Sequence, residues 1–505
     1  MKWFYRKGKI NIFAIFFLLS TGCEKQTFKW NEQDDHRWTY LQVKKGISRL
    51  NLIKSDKTGI KFKNQISDDL IASNRALLSG SGVALGDIDG DGLTDIYFCK
   101  TDGSNTLYRN RGGWKFDDIT EESGVSCANQ FSTGAVFADI DGDKDLDLLV
   151  TALGGPNALF YNDGKGHFEE AGKEAGFYGQ PGATSLAIAD IDQDGDLDIY
   201  RTNYKTVMAK DIYTPLERSF HQIVVEKAGS HRIREKFIEH YKVEIRGKQV
   251  LCLEMAEEDE ILINNGKGVF TRESITDGRF IFNSSNTDVK DWGLMARFQD
   301  IDLDGDPDLY VCNDFESPDR FYINDGTGIF KVVSPLTIRS SSNSSMAIDF
   351  SDLERDGDLD FYIADMLSVR HDRRKTQMGT MIPTPLSIGT IDNRPQYMRN
   401  TLFLNRGDQT YAEIAHYAGL QASEWTWSLL FIDIDLDGYE DVLASTGHAF
   451  DVMDSDTDFM IQSRTRARMI DFTQSTMFLY PSLETKNFIF RNKGDLTFTV
   501  SILAS

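Results

Sequence analysis

The stretch Ala84–Phe98, ALGDIDGDGLTDIYF, places Asp87, Asp89, Asp91 and Asp95 within nine positions, between a short apolar lead-in and an apolar run. Like charges at that spacing repel, and a fold keeps them together only if something offsets the repulsion. The pattern recurs five times. ADIDGDKDLDLLV carries Asp139, Asp141, Asp143 and Asp147, and ADIDQDGDLDIY carries Asp190, Asp192, Asp194 and Asp198. QDIDLDGDPDLYV carries Asp300, Asp302, Asp304 and Asp308. SDLERDGDLDFYI carries Asp352, Glu354, Asp356 and Asp360, and IDIDLDGYEDVLA carries Asp433, Asp435, Asp437 and Asp441.

In D-x-D-x-D-G-x-x-D, the side chains at positions one, three and five turn inward. A backbone carbonyl at seven and the carboxylate at nine then close a shell of hard oxygens. A flexible all-oxygen shell suits Ca²⁺, whereas Mg²⁺ demands stricter octahedral geometry, and a bound cation offsets the repulsion. All the acidic residues named above are therefore candidate ligands, for up to six structural Ca²⁺. An EF-hand would need Glu at position twelve; Phe98, Val150, Arg201, Val311, Ile363 and Ala444 stand there. The copies differ. Position six is Gly92, Gly195, Gly305, Gly357 and Gly438, but Lys144 in the second copy, which adds strain and a positive charge. The plainer alternative for each loop is a solvated acidic turn.

The six windows hold 29 of the 78 acidic residues in a chain of net charge −23. The acidity is thus concentrated in the loops, and nucleic acid is excluded as a general partner. A charged fraction of 26% and a hydrophobic fraction of 40% mark an ordinary globular protein.

First aspartates fall at 87, 139, 190, 300, 352 and 433, so the intervals are 52, 51, 110, 52 and 81. A unit of about 51 residues with two larger insertions accounts for them. Each unit reads as four short strands: an apolar run, the acidic loop, a second run, a third ending in Asn and Gly (LYRNRG, LFYNDG, FYINDG), and a fourth opening on Phe or Tyr. Such units imply an all-β propeller of four-stranded blades. Three partly helical insertions, near 203–258, 365–399 and 447–486, fall between strands two and three. In an up-and-down blade they share the face opposite the acidic loops.

GDIDGDGLTDIYF followed by NTLYRN resembles the FG-GAP/VCBS repeat of integrin-α-like β-propellers. DLYVCNDFESPDRFYINDG, RPQYMRNTLFLNRGDQTYAEIAHYAGLQASEWTWSLLFIDIDLDGYEDVL and NFIFRNKGDLTF resemble exported bacterial proteins related to cartilage acidic protein. The resemblance covers roughly 49–505. It implies the propeller, calcium binding and recognition on the face away from calcium, but no assigned activity. Similar proteins continue beyond the last unit seen here, and RLNLIKSDKTGI reads as a lone fourth strand. The expectation is therefore six full repeats plus an N-terminal strand, of a seven-blade type missing most of its last blade; a six-blade ring is the rival.

The N-terminus reads as an export signal. Lys2, Arg6, Lys7 and Lys9 precede an apolar run of about ten residues, too short to span a bilayer, and STGC resembles a lipobox. Residues 1–23 are thus a signal peptide with Cys23 as the lipidated residue, 24–48 a linker and 49–505 the propeller. The expected location is the bacterial cell envelope, lipid-anchored in the outer membrane or periplasm. Cys99, Cys127, Cys252 and Cys312 carry no assigned pairing.

Catalytic signatures such as H-E-x-x-H, G-x-S-x-G and the P-loop are absent. The expected function is calcium-dependent binding of a protein or glycan at the cell surface. An exported enzyme acting on polysaccharide is the alternative, and paired carboxylates or a histidine cluster on the insertion face would mark it. Basic runs (Arg232, Arg234, Lys236; Arg370, Arg373, Arg374, Lys375; Arg464, Arg466, Arg468) read as solvated helix faces before anion sites. Trp425 and Trp427 read as core, and His448 as satisfied or solvent-facing.

Overall fold

A computed structural model describes residues 31–33, 36–38 and 50–502, apart from 180–181, 228, 247–248, 283–288, 316, 379–393 and 467–473. The signal segment, Cys23, part of the second insertion and Arg468 lie outside the described residues. Within the expected linker, Asn31–Gln33 and His36–Trp38 pair as an antiparallel hairpin.

Six four-stranded antiparallel blades follow one another along the chain. Blade one comprises Val83–Gly86, Asp95–Phe98, Thr106–Asn110 and Phe116–Asp118, and blade two Ser132–Ala138, Asp147–Ala152, Ala158–Asn162 and Phe168–Glu170. Blade three comprises Ala183–Ala189, Asp198–Asn203, Glu260–Asn264 and Phe270–Ser274, and blade four Gly293–Gln299, Asp308–Asn313, Arg320–Asn324 and Phe330–Val332. Blade five comprises Ala347–Ser351, Asp360–Ala364, Thr401–Asn405 and Tyr411–Glu413, and blade six Thr426–Ile432, Asp441–Thr446, Phe488–Asn492 and Phe498–Ile502. Within each blade the strands lie in chain order. Blade four gains a fifth strand, Phe280–Ile281, parallel to its fourth.

The stabilising apolar surface lies between blades, as the doubly buried second strands require. Five cores separate consecutive blades, for example Tyr200, Ile261, Leu309 and Tyr322 between three and four, and Tyr362, Leu402, Val442 and Phe490 between five and six. The far faces of the end blades leave Val83, Leu85, Leu430 and Ile432 exposed.

Of the lone fourth strand expected at 49–60, the described residues 50–60 form no strand. Leu50 and Leu52 are exposed, and Ser55–Thr58 is a helical turn closed by Gly59 at φ 81°. A Cβ on Gly59 would lie 2.6 Å from the Phe116 carbonyl oxygen that opens strand four of blade one. Gly124, Gly176 and Gly419 stand over Phe168, Phe270 and Phe498 in the same way. SDKTGI is therefore the turn that follows a fourth strand in other blades, in ESGV, EAGF and YAGL. Phe62 then stacks on Phe98 at 4.7 Å.

A clamp absent from the sequence reading closes the strand-two end of every blade. The residue just before strand three accepts the N–H that ends or follows strand two: Lys100 to Asn105, 2.7 Å; Ala152 to Asn157, 2.9 Å; Asn203 to Asp259, 2.7 Å. It recurs as Asn313 to Asp319, 2.9 Å, Asp365 to Asn400, 2.8 Å, and Thr446 to Asn487, 2.8 Å. The strands thus stay pinned whether 4 or more than 50 residues intervene.

Burial pushes the Asp259 carboxyl up to about 8, against the opposing hydrogen bonds from Asn203 N–H and the Tyr200 hydroxyl. Its folded pKa exceeds the unfolded value near 3.9, so its contribution is present at low pH and lost as pH rises through about 8. Asparagine already serves this position in blades one, two, five and six. Asp259→Asn is expected to raise the melting midpoint at pH 8 and to flatten its decline between pH 5 and 8. A midpoint lowered at pH 8 would show that the charge is needed.

Candidate metal sites and the insertion face

Each acidic loop joins strand one to strand two, and its backbone N–H groups turn inward onto its own carboxylates. The N–H of position six donates to the first aspartate in all six copies: Gly92 to Asp87, 2.8 Å; Lys144 to Asp139, 3.1 Å; Gly195 to Asp190, 3.0 Å. Gly305 to Asp300, 3.1 Å, Gly357 to Asp352, 3.0 Å, and Gly438 to Asp433, 2.8 Å, complete the set. Position six lies at φ between 81° and 99°, Lys144 included. Position four is also left-handed, and there Gln193, Leu303, Arg355 and Leu436 adopt it without glycine, which the sequence reading missed.

The ninth aspartate has a role that spacing did not show. Asp95, Asp147, Asp198, Asp308, Asp360 and Asp441 are buried. One oxygen of each accepts the N–H of position two: Ile88, Ile140, Ile191, Ile301, Leu353 and Ile434, at 2.9–3.5 Å. The other accepts the N–H of the asparagine closing strand three: Asn110, Asn162, Asn264, Asn324, Asn405 and Asn492, at 2.7–3.0 Å. The Asn of the Asn-x-Gly signature is thus part of the loop as well as a hairpin residue. Desolvation pushes Asp147, Asp198, Asp308 and Asp360 up to about 7.

Among the described residues, carboxylate oxygens converge within 4.8 Å in five loops: Asp87, Asp89 and Asp95; Asp139, Asp141 and Asp147; Asp190, Asp192 and Asp194; Asp300, Asp302 and Asp304; Asp433, Asp435 and Asp437. Asp91 and Asp143 stand outside the first two groups, and Asp198, Asp308 and Asp441 outside the last three. The fifth loop, with Asp352, Glu354, Asp356 and Asp360, forms no such group. The donor set fits a divalent hard cation on one further observation. Asp192, Asp300 and Asp435 each bury an oxygen with no hydrogen-bond partner, and so does Asp145 at position seven of the second loop. Orphaned buried carboxylate oxygens are costly unless a cation satisfies them. Arginines on strand three reach the third-position carboxylate in two loops, Arg109 to Asp89 and Arg491 to Asp435.

All three insertions leave from the opposite ends of the strands. The first builds two hairpins, Val224–Lys227 with Ser230–Ile233 and Tyr241–Arg246 with Gln249–Glu254, over a small core of Ile223, Val224, Phe237 and Tyr241. The third carries a helix, Ser455–Arg466. Arg373 of the second insertion is not on a solvated helix face: it is buried, with Nη1 2.5 Å from Glu424 and Nε 2.7 Å from Asp451 of the third. Arg370 pairs with Asp372 at the surface, and Arg232 and Arg234 are exposed. Trp425 is core as expected, and Trp427 is half-buried. His448 is satisfied: its Nδ1 lies 2.6 Å from the Phe450 carbonyl oxygen, and burial pushes it down to about 4. Cys99, Cys127, Cys252 and Cys312 are free thiols. No described helix is long and apolar enough to cross a membrane.

The FG-GAP-like repeat family matches residues 87–150, 139–200, 300–363 and 388–444, so these segments carry FG-GAP-like repeats. Cartilage acidic protein 1 of Xenopus tropicalis is 31% identical over 162 residues, 30% of this chain and 24% of the relative. The Homo sapiens protein of that name is 28% identical over 153 residues, 29% of this chain and 23% of the relative. The chain thus matches about a quarter of the length of these curated relatives. An Agrocybe aegerita lectin solved for recognition of non-reducing terminal N-acetylglucosamine aligns with TM-score 0.41 and 15% identity over 83% of this chain and 78% of its own. The V. cholerae biofilm matrix protein Bap1 aligns with TM-score 0.29 and 12% identity over 57% of this chain and 34% of its own.

Two substitutions separate the loop's roles. Asp308→Ala orphans two buried N–H groups and is expected to destabilise by about 2–4 kcal/mol with or without calcium, whereas Asp304→Ala should destabilise only when calcium is present. Equal effects of the two in EGTA would refute the division. Lys144→Gly removes a left-handed lysine and a like-signed competitor for the cation. It is expected to raise the unfolding free energy from denaturant titrations by up to about 1 kcal/mol, with Gly195→Lys acting in the opposite sense.

Proposed function

We propose that this FG-GAP repeat propeller is an exported, lipid-anchored calcium-binding recognition protein whose protein or glycan partner docks on the face built by the three insertions. The observation that carries the proposal is topological. Every insertion leaves between strands two and three, opposite the acidic loops, and the buried Arg373 pairs with Glu424 and Asp451 fix two of them to each other. Long segments on a rigid scaffold are where binding sites collect.

The two faces differ in charge. The first insertion, 203–258, holds ten Lys and Arg against nine Asp and Glu, in a chain of net charge −23. Its exposed Arg232 and Arg234 favour an anionic or mixed-charge partner. Calcium would be held by the converged aspartates of the loops and would stabilise the blades by binding only the folded state. Export and anchoring rest on the charged, then apolar, N-terminal segment and on Cys23.

Three measurements test this. Excess EGTA is expected to lower the melting midpoint by more than about 5 °C; equal midpoints would remove calcium from the proposal. Cys23→Ala should shift the protein out of the detergent phase in a phase-separation assay. A hit from glycan and surface-protein arrays should weaken about ten-fold on charge reversal at Arg232 and Arg234, with melting unchanged. If binding survives that reversal and fails in a folded Asp304→Ala variant, the working face is the calcium face.

A further inference from the structure

A cavity of about 230 Å³ lies at the insertion-face end of the inner strands. Blades four to six contribute the starts of their first strands. The first and third insertions, the described part of the second, Asp314 and Phe315 of blade four's short connection, and the segment Arg75–Ser79 contribute the rest.

Its walls are unlike the rest of the molecule. Met208, Met346, Met366, Met378, Met453 and Met477 line it, six of the chain's 13 methionines. Flexible, polarisable thioethers make an adaptable lining of the kind used at ligand-binding surfaces. One wall is flat. His448 lies parallel to Trp425, with centroids 4.2 Å apart and planes 11° apart, and Trp427 follows at 6.2 Å and 28°.

The polar lining includes Arg75, Ser79 and Asp314, and two further groups set the chemistry. Trp425 is only 7% exposed, and its Nε1 has no hydrogen-bond partner among the described residues, whereas Trp427 Nε1 donates to the Gly447 carbonyl. A buried orphan donor costs about 1–3 kcal/mol until an acceptor arrives. Lys210 also lines the cavity, and the carboxylates around it are engaged elsewhere. Asp211 takes Arg75 at 2.5 Å, Glu254 takes Lys205 at 2.9 Å, and Asp314 takes the Tyr204 hydroxyl at 2.9 Å. Burial first, and the charges of Arg75 and Arg218 after it, push the Lys210 ammonium down to about 8, so it carries its charge at physiological pH. His448 is neutral at physiological pH and contributes no charge.

We propose that this cavity binds a compact organic carboxylate with a flat apolar body: the ring among the methionines beside the aromatic stack, the carboxylate toward Lys210, and an acceptor for the Trp425 N–H. Size agrees, since a dry cavity of about 150 Å³ suffices for benzene. This site is distinct from the docking of a macromolecule on the outer surface of the insertions.

Phenylacetate and phenylacetamide are suitable probes on the full calcium-loaded chain, because neither contributes indole signal. Phenylacetate should bind saturably, shift the Trp425 indole N–H resonance, and bind about ten-fold more tightly than the amide. Lys210→Met should abolish that preference and retain the amide's affinity. Met366→Trp, which fills the cavity, should block both ligands, with unchanged melting showing that each variant folds. Absence of saturable binding by either probe overturns the proposal, as does phenylacetate binding untouched by Lys210→Met. Equal affinity for acid and amide in the wild type overturns the carboxylate assignment.

Discussion

A buried aspartate at the ninth position of each acidic loop accepts one N–H from the loop and one from the asparagine that closes strand three, and the rest of the molecule is arranged around that contact. It joins three of a blade's four strands through a single side chain. It also fixes the loop backbone so tightly that Gln193, Leu303, Arg355 and Leu436 are carried into left-handed conformations they would not choose. The first and third carboxylates are thereby held close together in five loops before any cation arrives. The cost is borne in the burial of an ionisable group, visible in the upward displacement of Asp147, Asp198, Asp308 and Asp360 to about 7.

A matching clamp at the other end of strands two and three explains where the chain can grow. Once Asn105, Asn157, Asp259, Asp319, Asn400 or Asn487 has captured the end of strand two, the length of chain between is immaterial to the blade. Loop closure becomes costlier only slowly with length, and the clamp supplies the fixed ends. Blades one, two and four keep short connections, while three, five and six use the same site to launch insertions. The acidic loops enjoy no such freedom, because both their ends and their interior are bonded.

The repeat, its four strands, the insertion sites and the acidic loops were legible in the sequence because each is written locally, in alternation and in Asn and Gly turns. The split among the loop aspartates was not. Spacing treats Asp300 and Asp308 alike, and only the fold shows that one leaves an oxygen orphaned while the other has both satisfied by the backbone. The insertion-face clamp was hidden for a different reason. An Asn or Asp before a strand is a common turn residue, and the N–H it captures lies 5 residues away in blade one but 56 in blade three. The segment around SDKTGI was misread because Leu50 and Leu52 alternate like a strand, although the glycine packing on Phe116 decides its role. Arg373 looked like one more surface cation because its partners lie 51 and 78 residues away.

If the loops hold calcium as proposed, their small departures from one another would grade the response. The second carries Lys144 in a left-handed conformation beside its carboxylates. The first and sixth turn their third-position aspartate toward Arg109 and Arg491, which a cation must outcompete. The fifth substitutes Glu354, and its carboxylates do not converge. The third and fourth loops remain unencumbered, with glycine at position six and three aspartates gathered in each, and Gln193 of one contacts Asp306 of the other. These two sit under neighbouring blades whose opposite ends hold the largest insertion and Leu294 of the methionine-lined cavity. The least encumbered carboxylate clusters therefore lie beneath the blade that carries the largest insertion and its neighbour. Calcium would stiffen that part of the scaffold first, while the end blades, with apolar faces open to solvent, would respond last.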